Sequence, residues 1–456
     1  MLLALLGSLA VAGPRIATPH ADALLAHAGD PHVVVPAPPA GAVPPPSEPV
    51  PDMTVYAYHP YWESDPTQLH WDQLTHVAIF DVELKSDGTL ANTDNWTDVA
   101  AGVVSAAHAH GVKVDLCVIS FDDSVQSSVL QSASKRATAV AALKSLVDQY
   151  GADGVNVDVE AMDDSLSGDF VQFIKELHAE VGEVYIATPA VDWLGAYDYS
   201  ELAANSEGLF IMGYGYYWTG GDPGPNDPLY GGGDWSTYSL EWSIEDYQSY
   251  GAPVDKIVLG LPLYGQEWPA DHAVPGNATG TGWSVEMESA MAEAATVGDH
   301  YEPTTHSPYY LPSGSQVWYP DVESVRERIA FAREQGLQGV GFWAVGYEGD
   351  DPDFWPMVAE ETTFAVEDTG SGNGGDNGGD SGDNAGDNGG NGGNGGDNGG
   401  GPGKARVLDG EAPGGCACAH GPDPGGSLGI PGGAYSGGAL LAVGFVATRR
   451  RTRSTT

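Results

Sequence analysis

Between residues 54 and 343 the chain alternates β-type apolar runs with helical patterns, and this alternation restricts the fold more than any other feature. Candidate strands begin near Thr54, His76, Lys113, Gly154, Val184, Leu209, Lys256 and Gly339. Ser134 to Tyr150 carries Val140, Leu143, Val147 and Tyr150 at helical spacing. Asp321 to Gln335 carries Val322, Val325, Ile329 and Ala332, with Asp321 placed as N-cap and Gly336 as stop. Eight β-runs with helical connectors over about 310 residues predict an α/β fold, a (β/α)8 TIM barrel, with a doubly wound open sheet as the competitor.

One run is chemically unusual. Residues 153–160 read Asp-Gly-Val-Asn-Val-Asp-Val-Glu. A strand sends alternate side chains to opposite faces, so Val155, Val157 and Val159 share one face and Asn156, Asp158 and Glu160 the other. Burying three polar groups on one face of an apolar strand is costly, so that face is expected to line a site while the valines pack on helices. Same-face neighbours lie roughly 6.6 Å apart, near enough for Asp158 and Glu160 to couple their titrations. A carboxylic acid kept protonated near neutral pH is what glycosidic bond cleavage requires. In a barrel the chemistry sits at the C-terminal strand ends, where Glu160 falls.

The net charge is −46, from 17 Lys+Arg against 63 Asp+Glu. Residues 52–366 alone hold 50 acidic and 10 basic residues, a balance of −40. Such a field repels nucleic acid and anionic lipid and suits a soluble secreted protein acting on a neutral or basic substrate. Cys117 sits in the apolar run Val112–Ile119 and is expected to be a buried small hydrophobe, while Cys416 and Cys418 lie near the C-terminus. No disulfide framework or zinc spacing follows, and no metal or cofactor is expected. His108 and His110 are read as solvated surface residues.

The flanks read differently. Leu2 to Ala12 resembles the apolar region of a signal peptide, although no Lys or Arg precedes it; residues 1–28 are assigned as the signal-peptide region. Residues 29–51 form a Pro-rich linker and residues 52–366 the barrel. Residues 367–414 are a Gly/Asn/Asp-rich linker expected to be disordered. Residues 415–456 place Cys416 and Cys418 before a Gly-rich spacer, an apolar run from Ala434 to Ala447, and Arg449, Arg450, Arg451 and Arg453. That order resembles C-terminal sorting tags of myxobacterial surface proteins; a single-pass anchor is the alternative. Either places the mature protein, expected to be a monomer, outside the bacterial cell, touching membrane only through this segment.

Other strand ends carry aromatic and polar residues suited to sugar, whose C–H faces pack on rings. They are Tyr58-His59-Pro60-Tyr61-Trp62, Met212-Gly213-Tyr214-Gly215-Tyr216-Tyr217-Trp218, Gly260 to Gly265, and Gly341 to Glu348. With these motifs in order, residues 53–358 resemble family 18 glycoside hydrolases, the chitinase-type enzymes. The family's fourth-strand motif falls on Asp153, Asn156, Asp158 and Glu160, with Gly154 beside the first; Ala57-Tyr58, Met212-x-Tyr214, the Leu259–Gly265 run and Phe342-Trp343 match strands one, six, seven and eight.

The resemblance implies a hydrolase acting on β-1,4 bonds next to N-acetylglucosamine, in chitin or peptidoglycan. Glu160 is then the general acid, Asp158 holds the substrate's acetamido N–H, and Tyr214 hydrogen-bonds the acetamido oxygen, which is itself the nucleophile. Tyr58, Asn156, Met212, Trp343, Tyr216 and Trp218 are expected to contact sugar. Two positions depart from the family: Asn156 replaces an Asp, as in spore-cortex and peptidoglycan-type members, and Gly215 replaces an Asp that Tyr216 or Asp222 would have to replace functionally. A catalytically silent surface lectin on the same barrel is the alternative that Gly215 favours.

Overall fold

The computed structural model describes residues 18–36 and 51–364. Of the region 1–28 assigned as signal peptide, the part before residue 18 lies outside these residues, as do most of the Pro-rich linker and both C-terminal segments. Eight parallel strands close into a barrel: Thr54–Pro60, His76–Leu84, Lys113–Ser120, Gly154–Val159, Val184–Pro189, Gly208–Met212, Ile257–Pro262 and Gly339–Trp343. The first strand pairs with both the second and the last, which closes the ring and rules out the open sheet. Six of the eight begin at the residue read from the sequence, and the other two within one residue of it.

The local signals explain the connectors. Helix Ala133–Tyr150 buries Val140, Leu143 and Val147. Helix Val322–Glu334 starts on a capping box in which Asp321 and Ser324 bond each other's backbone, satisfying orphan N–H groups of the first turn. Its far side buries Val325, Ile329 and Ala332, as the periodicity requires.

In the fourth strand every residue from Gly154 to Val159 is buried. Gly154 has no room for a side chain: a Cβ there would lie 2.6 Å from the Glu183 carbonyl and 2.7 Å from Asp115 Oδ1. Asp153 ties the strand's start to its surroundings, accepting from Val114 N at 2.7 Å and pairing with His108 Nε2 at 2.8 Å. His108 is therefore a half-buried ion-pair partner rather than a freely solvated residue, and His110 pairs likewise with Asp72 at 2.8 Å.

The long connection between the last two barrel strands folds as its own layer. Its five-stranded antiparallel sheet comprises Tyr264–Pro269, Trp283–Glu286, Asp299–Glu302, Ser307–Tyr310 and Ser315–Trp318, with helix Met287–Val297 packed on it. A second feature lies outside the barrel in sequence: helix Pro19–Ala26 packs into the barrel's C-terminal mouth, with His20 buried.

Candidate active site

The barrel interior is stacked in layers. At its lower level Tyr56 donates to Asp115 Oδ2 at 2.7 Å. One layer up, Asn156 Oδ1 accepts from the Tyr58 hydroxyl at 3.0 Å and from Cys117 Sγ at 3.4 Å, and its Nδ2 donates to Tyr56 Oη at 3.2 Å. Asn156 is thus satisfied by barrel-core partners below the mouth, which differs from the expectation that it would contact sugar. The reason is geometric: Asn156 points toward the two tyrosines, while the Asp158 carboxylate faces the mouth.

At the mouth, Asp158, Glu160, Tyr214 and Trp343 surround one side chain. His20 Nδ1 lies 2.7 Å from Asp158 Oδ2, and His20 Nε2 lies 2.6 Å from the Tyr214 hydroxyl. The His20 backbone N–H donates to Glu160 Oε1 at 3.1 Å. The imidazole stacks on Trp343 with ring centroids 3.7 Å apart and planes 24° from parallel. Tyr58 stands 5.2 Å away and Phe80 6.0 Å. Asp158, His20 and Glu160 are all essentially inaccessible to solvent.

Burial pushes the Glu160 carboxyl well above the usual carboxylate range, and the neighbouring Asp158 charge adds to the effect. The fold therefore favours the neutral, proton-bearing form. The mouth is braced from below. Gln126 Nε2 donates to the Ser120 and Glu160 carbonyls, both at 2.9 Å, locking the ends of two adjacent strands. The Tyr197 hydroxyl donates to the Val159 carbonyl. Three further polar contacts come from a loop: Asn226 accepts from Gly215 N at 2.9 Å and from Gln266 at 3.3 Å, and donates to the Tyr264 carbonyl at 3.1 Å.

The remaining predicted residues divide. Met212 is buried and lines a small cleft with Glu160, Tyr197 and Trp193. Tyr216 is turned elsewhere: its hydroxyl pairs with Ser243 at 2.6 Å, which in turn donates to the Ala190 carbonyl. Trp218 is 36% exposed and covers Gly220, making no ring contact with the cluster among the described residues. Asp222 is exposed and accepts from Ala278 N at 2.9 Å. Neither Tyr216 nor Asp222 therefore takes the place of the family's carboxylate after Tyr214. Gly215 itself has φ +78, a left-handed conformation that suits glycine and strains most side chains.

Further residues complete the site, and of these Phe80 and Asp81 are not singled out in the sequence. Phe80 packs edge-on against Trp343 at 4.9 Å, and Trp62 does so at 6.4 Å. Asp81, at the same strand end as Phe80, is buried and accepts from Asn95 at 3.2 Å. Burial raises its carboxyl to about 7. Its only sequence signal was an acid closing an apolar run. The donor atoms of His20, Asp158 and Glu160 lie within 4.8 Å of one another, a spacing that could hold a metal. However, the 2.7 Å His20–Asp158 contact is already a hydrogen bond.

An acid buried beside a second carboxylate, a tyrosine and a tryptophan floor at the C-terminal mouth of a (β/α)8 barrel defines a sugar-cleaving type of site. The chain belongs to the glycosyl hydrolases family 18, whose model matches residues 54–348. It is 28% identical over 286 residues to the protein named putative sporulation-specific glycosylase YdhD of Bacillus subtilis (strain 168). That match covers 59% of this chain and 64% of the relative's length. It is 23% identical over 311 residues to the cortical fragment-lytic enzyme of Bacillus anthracis, covering 64% of this chain and 68% of the relative. The fold is shared with a family 18 chitinase from Cycas revoluta solved in complex with (GlcNAc)3, at TM-score 0.62 and 20% identity over 68% of this chain and 99% of that one.

Proposed function

We propose that this chain hydrolyses β-1,4 linkages adjacent to N-acetylglucosamine in chitin or peptidoglycan, with retention and with the substrate's own acetamido group as nucleophile. The observation that carries the reading is the convergence of Asp158, Glu160 and Tyr214 on one planar guest stacked on Trp343. With sugar in that place, Trp343 floors the ring. Asp158 accepts from the acetamido N–H and Tyr214 donates to its oxygen, which aims that oxygen at the anomeric carbon. Holding the internal nucleophile in place lowers the entropic barrier. As the C–O bond breaks, Glu160 gives its proton to the leaving oxygen. Glu160 then takes a proton from the water that opens the oxazolinium intermediate.

The likeness to the sporulation and cortical enzymes, together with Asn156, supports a bacterial cell-wall polymer as one substrate. The reading extends to a secreted or surface-held monomer, whose C-terminal Cys, apolar and Arg segments act as a myxobacterial-type sorting tag. Among the described residues no helix is long and apolar enough to cross a membrane. One observation favours a second reading, a carbohydrate-binding lectin: Gly215 stands at the family's carboxylate position, and neither Tyr216 nor Asp222 takes its place.

The test is hydrolysis of fluorogenic chitobiose and chitotriose substrates and of purified peptidoglycan, with Glu160→Gln beside the native protein. Product from at least one substrate, lost in the variant, supports the enzyme. Sugar binding by both proteins without product from either supports the lectin.

A further inference from the structure

The guest that fills the sugar site is part of the chain itself. We propose that residues 18–35 stay in the exported protein, with any leader cleaved ahead of residue 18 rather than at 28, and form a built-in inhibitor, a strap that imitates an N-acetylated sugar chain and holds the site latent while it is seated. This rests on the assignment of Asp158, Tyr214 and Trp343 to sugar binding.

The imitation is specific. A carboxylate only accepts, so Asp158 takes a proton carried on His20 Nδ1, and in that neutral tautomer Nε2 accepts from the Tyr214 hydroxyl. An N-acetyl group offers the same two things to the same two residues: an N–H for Asp158 and an oxygen for Tyr214. The imidazole lies flat on Trp343 where a sugar ring would. Glu160 receives the His20 backbone N–H, one of the first-turn donors that a helix leaves without an internal partner.

The likeness extends beyond one ring. His27 follows His20 by seven residues, two helical turns or about 10.5 Å, so both project from one side. His27 stacks on Trp62 with centroids 4.5 Å apart and planes 2° from parallel. Trp62 in turn meets Trp343 edge-on, so the two histidines occupy neighbouring stations on one aromatic floor. The Tyr61 hydroxyl donates to the His27 carbonyl at 3.1 Å.

The strap is then fastened outside the cleft. His32 Nε2 pairs with Asp98 at 2.8 Å, and Val35 N donates to the Asp98 carbonyl at 2.9 Å. Val35 presses on Gly102, where a Cβ would come within 2.2 Å of Val35 Cγ1. Three successive stations, at His20, His27 and His32–Val35, are thus matched by complementary groups on the barrel.

Sugar and strap compete for the same atoms, so the apparent affinity falls in proportion to the fraction of molecules with the strap displaced. The test uses the full chain as native protein, His20→Ala and His27→Ala, with thermal melting to establish that each is folded. Tryptophan fluorescence reads chitotriose binding and a fluorogenic chitotrioside reads turnover. His20→Ala should bind chitotriose on the order of tenfold more tightly, from the loss of two side-chain hydrogen bonds and a stack, and should turn over faster. His27→Ala should move both in the same direction by less, and it decides the matter should His20→Ala fail to fold. Tighter binding in the variants with no turnover in any protein still supports the strap, while refuting hydrolysis. Equal or weaker binding and unchanged turnover in the variants overturn the strap, even if hydrolysis is observed.

Discussion

Replacing Glu160 by Gln separates catalysis from stability. The amide keeps the shape of the side chain and an oxygen able to accept the His20 N–H now 3.1 Å from Oε1. It cannot deliver a proton. General acid action contributes about 10²–10⁴-fold, so turnover should fall by that factor, roughly 2.7–5.4 kcal/mol on the barrier. Stability should move the other way. The folded state holds the Glu160 carboxyl well above the usual range, chiefly by burial. Such a raised group lends its stabilisation below the unfolded carboxyl value and loses it as pH rises through the folded one. A permanently neutral Gln does not undergo that loss. The variant should melt at the same temperature as the native protein near about pH 4 and higher than it near about pH 8. The assays are initial rates on fluorogenic chitotrioside and thermal scans at both pH values. A rate within a few-fold of native, or a lower melting temperature at the alkaline pH, would refute the assignment of a buried proton donor to Glu160.

Three further outcomes follow from the same geometry. Asp158→Asn should reduce turnover by about 10²–10³-fold, since the group stabilising the developing charge is lost, while chitotriose binding persists; native rates would contradict substrate assistance. Asp81→Asn keeps an acceptor for Asn95 but removes a carboxyl that burial raises from 3.8 to about 7. Its stabilising effect should therefore be absent below about pH 4, grow between about pH 4 and 7, and level off above that at roughly 4 kcal/mol; a pH-independent difference in chemical denaturation contradicts this. Arg328→Met should destabilise the barrel by roughly 3–5 kcal/mol, because fully buried Arg328 lies 2.6 Å from Asp227 Oδ2 and its loss strands a buried carboxyl; an unchanged urea midpoint would count against that pair.

Much of the barrel was legible because its signals are local. Alternating valines and polar residues in 153–160, the Asp321 cap and the spacing of Val325, Ile329 and Ala332 each report on neighbours a few residues away. The motif residues converge because strand ends in a closed barrel face one mouth, so Asp158, Tyr214 and Trp343 meet although 185 residues separate the first from the last. The rest depends on long-range pairing. Nothing near Tyr264–Trp318 in sequence fixes the five-stranded order of that layer. Tyr216 looked like a sugar ligand by its place after Tyr214, yet the turn at Gly215 sends its hydroxyl to Ser243. His20 carried no signal at all: an isolated histidine acquires meaning only when the helix bearing it lands in the cleft.

The central claim is that the acetamido group, and no water in the first step, attacks the anomeric carbon beneath Glu160. Proton NMR of the product in the first minutes of chitooligosaccharide cleavage tests it most directly. The account predicts that the β-anomer appears first and mutarotates later. Initial release of the α-anomer would mean direct attack by water and would contradict it.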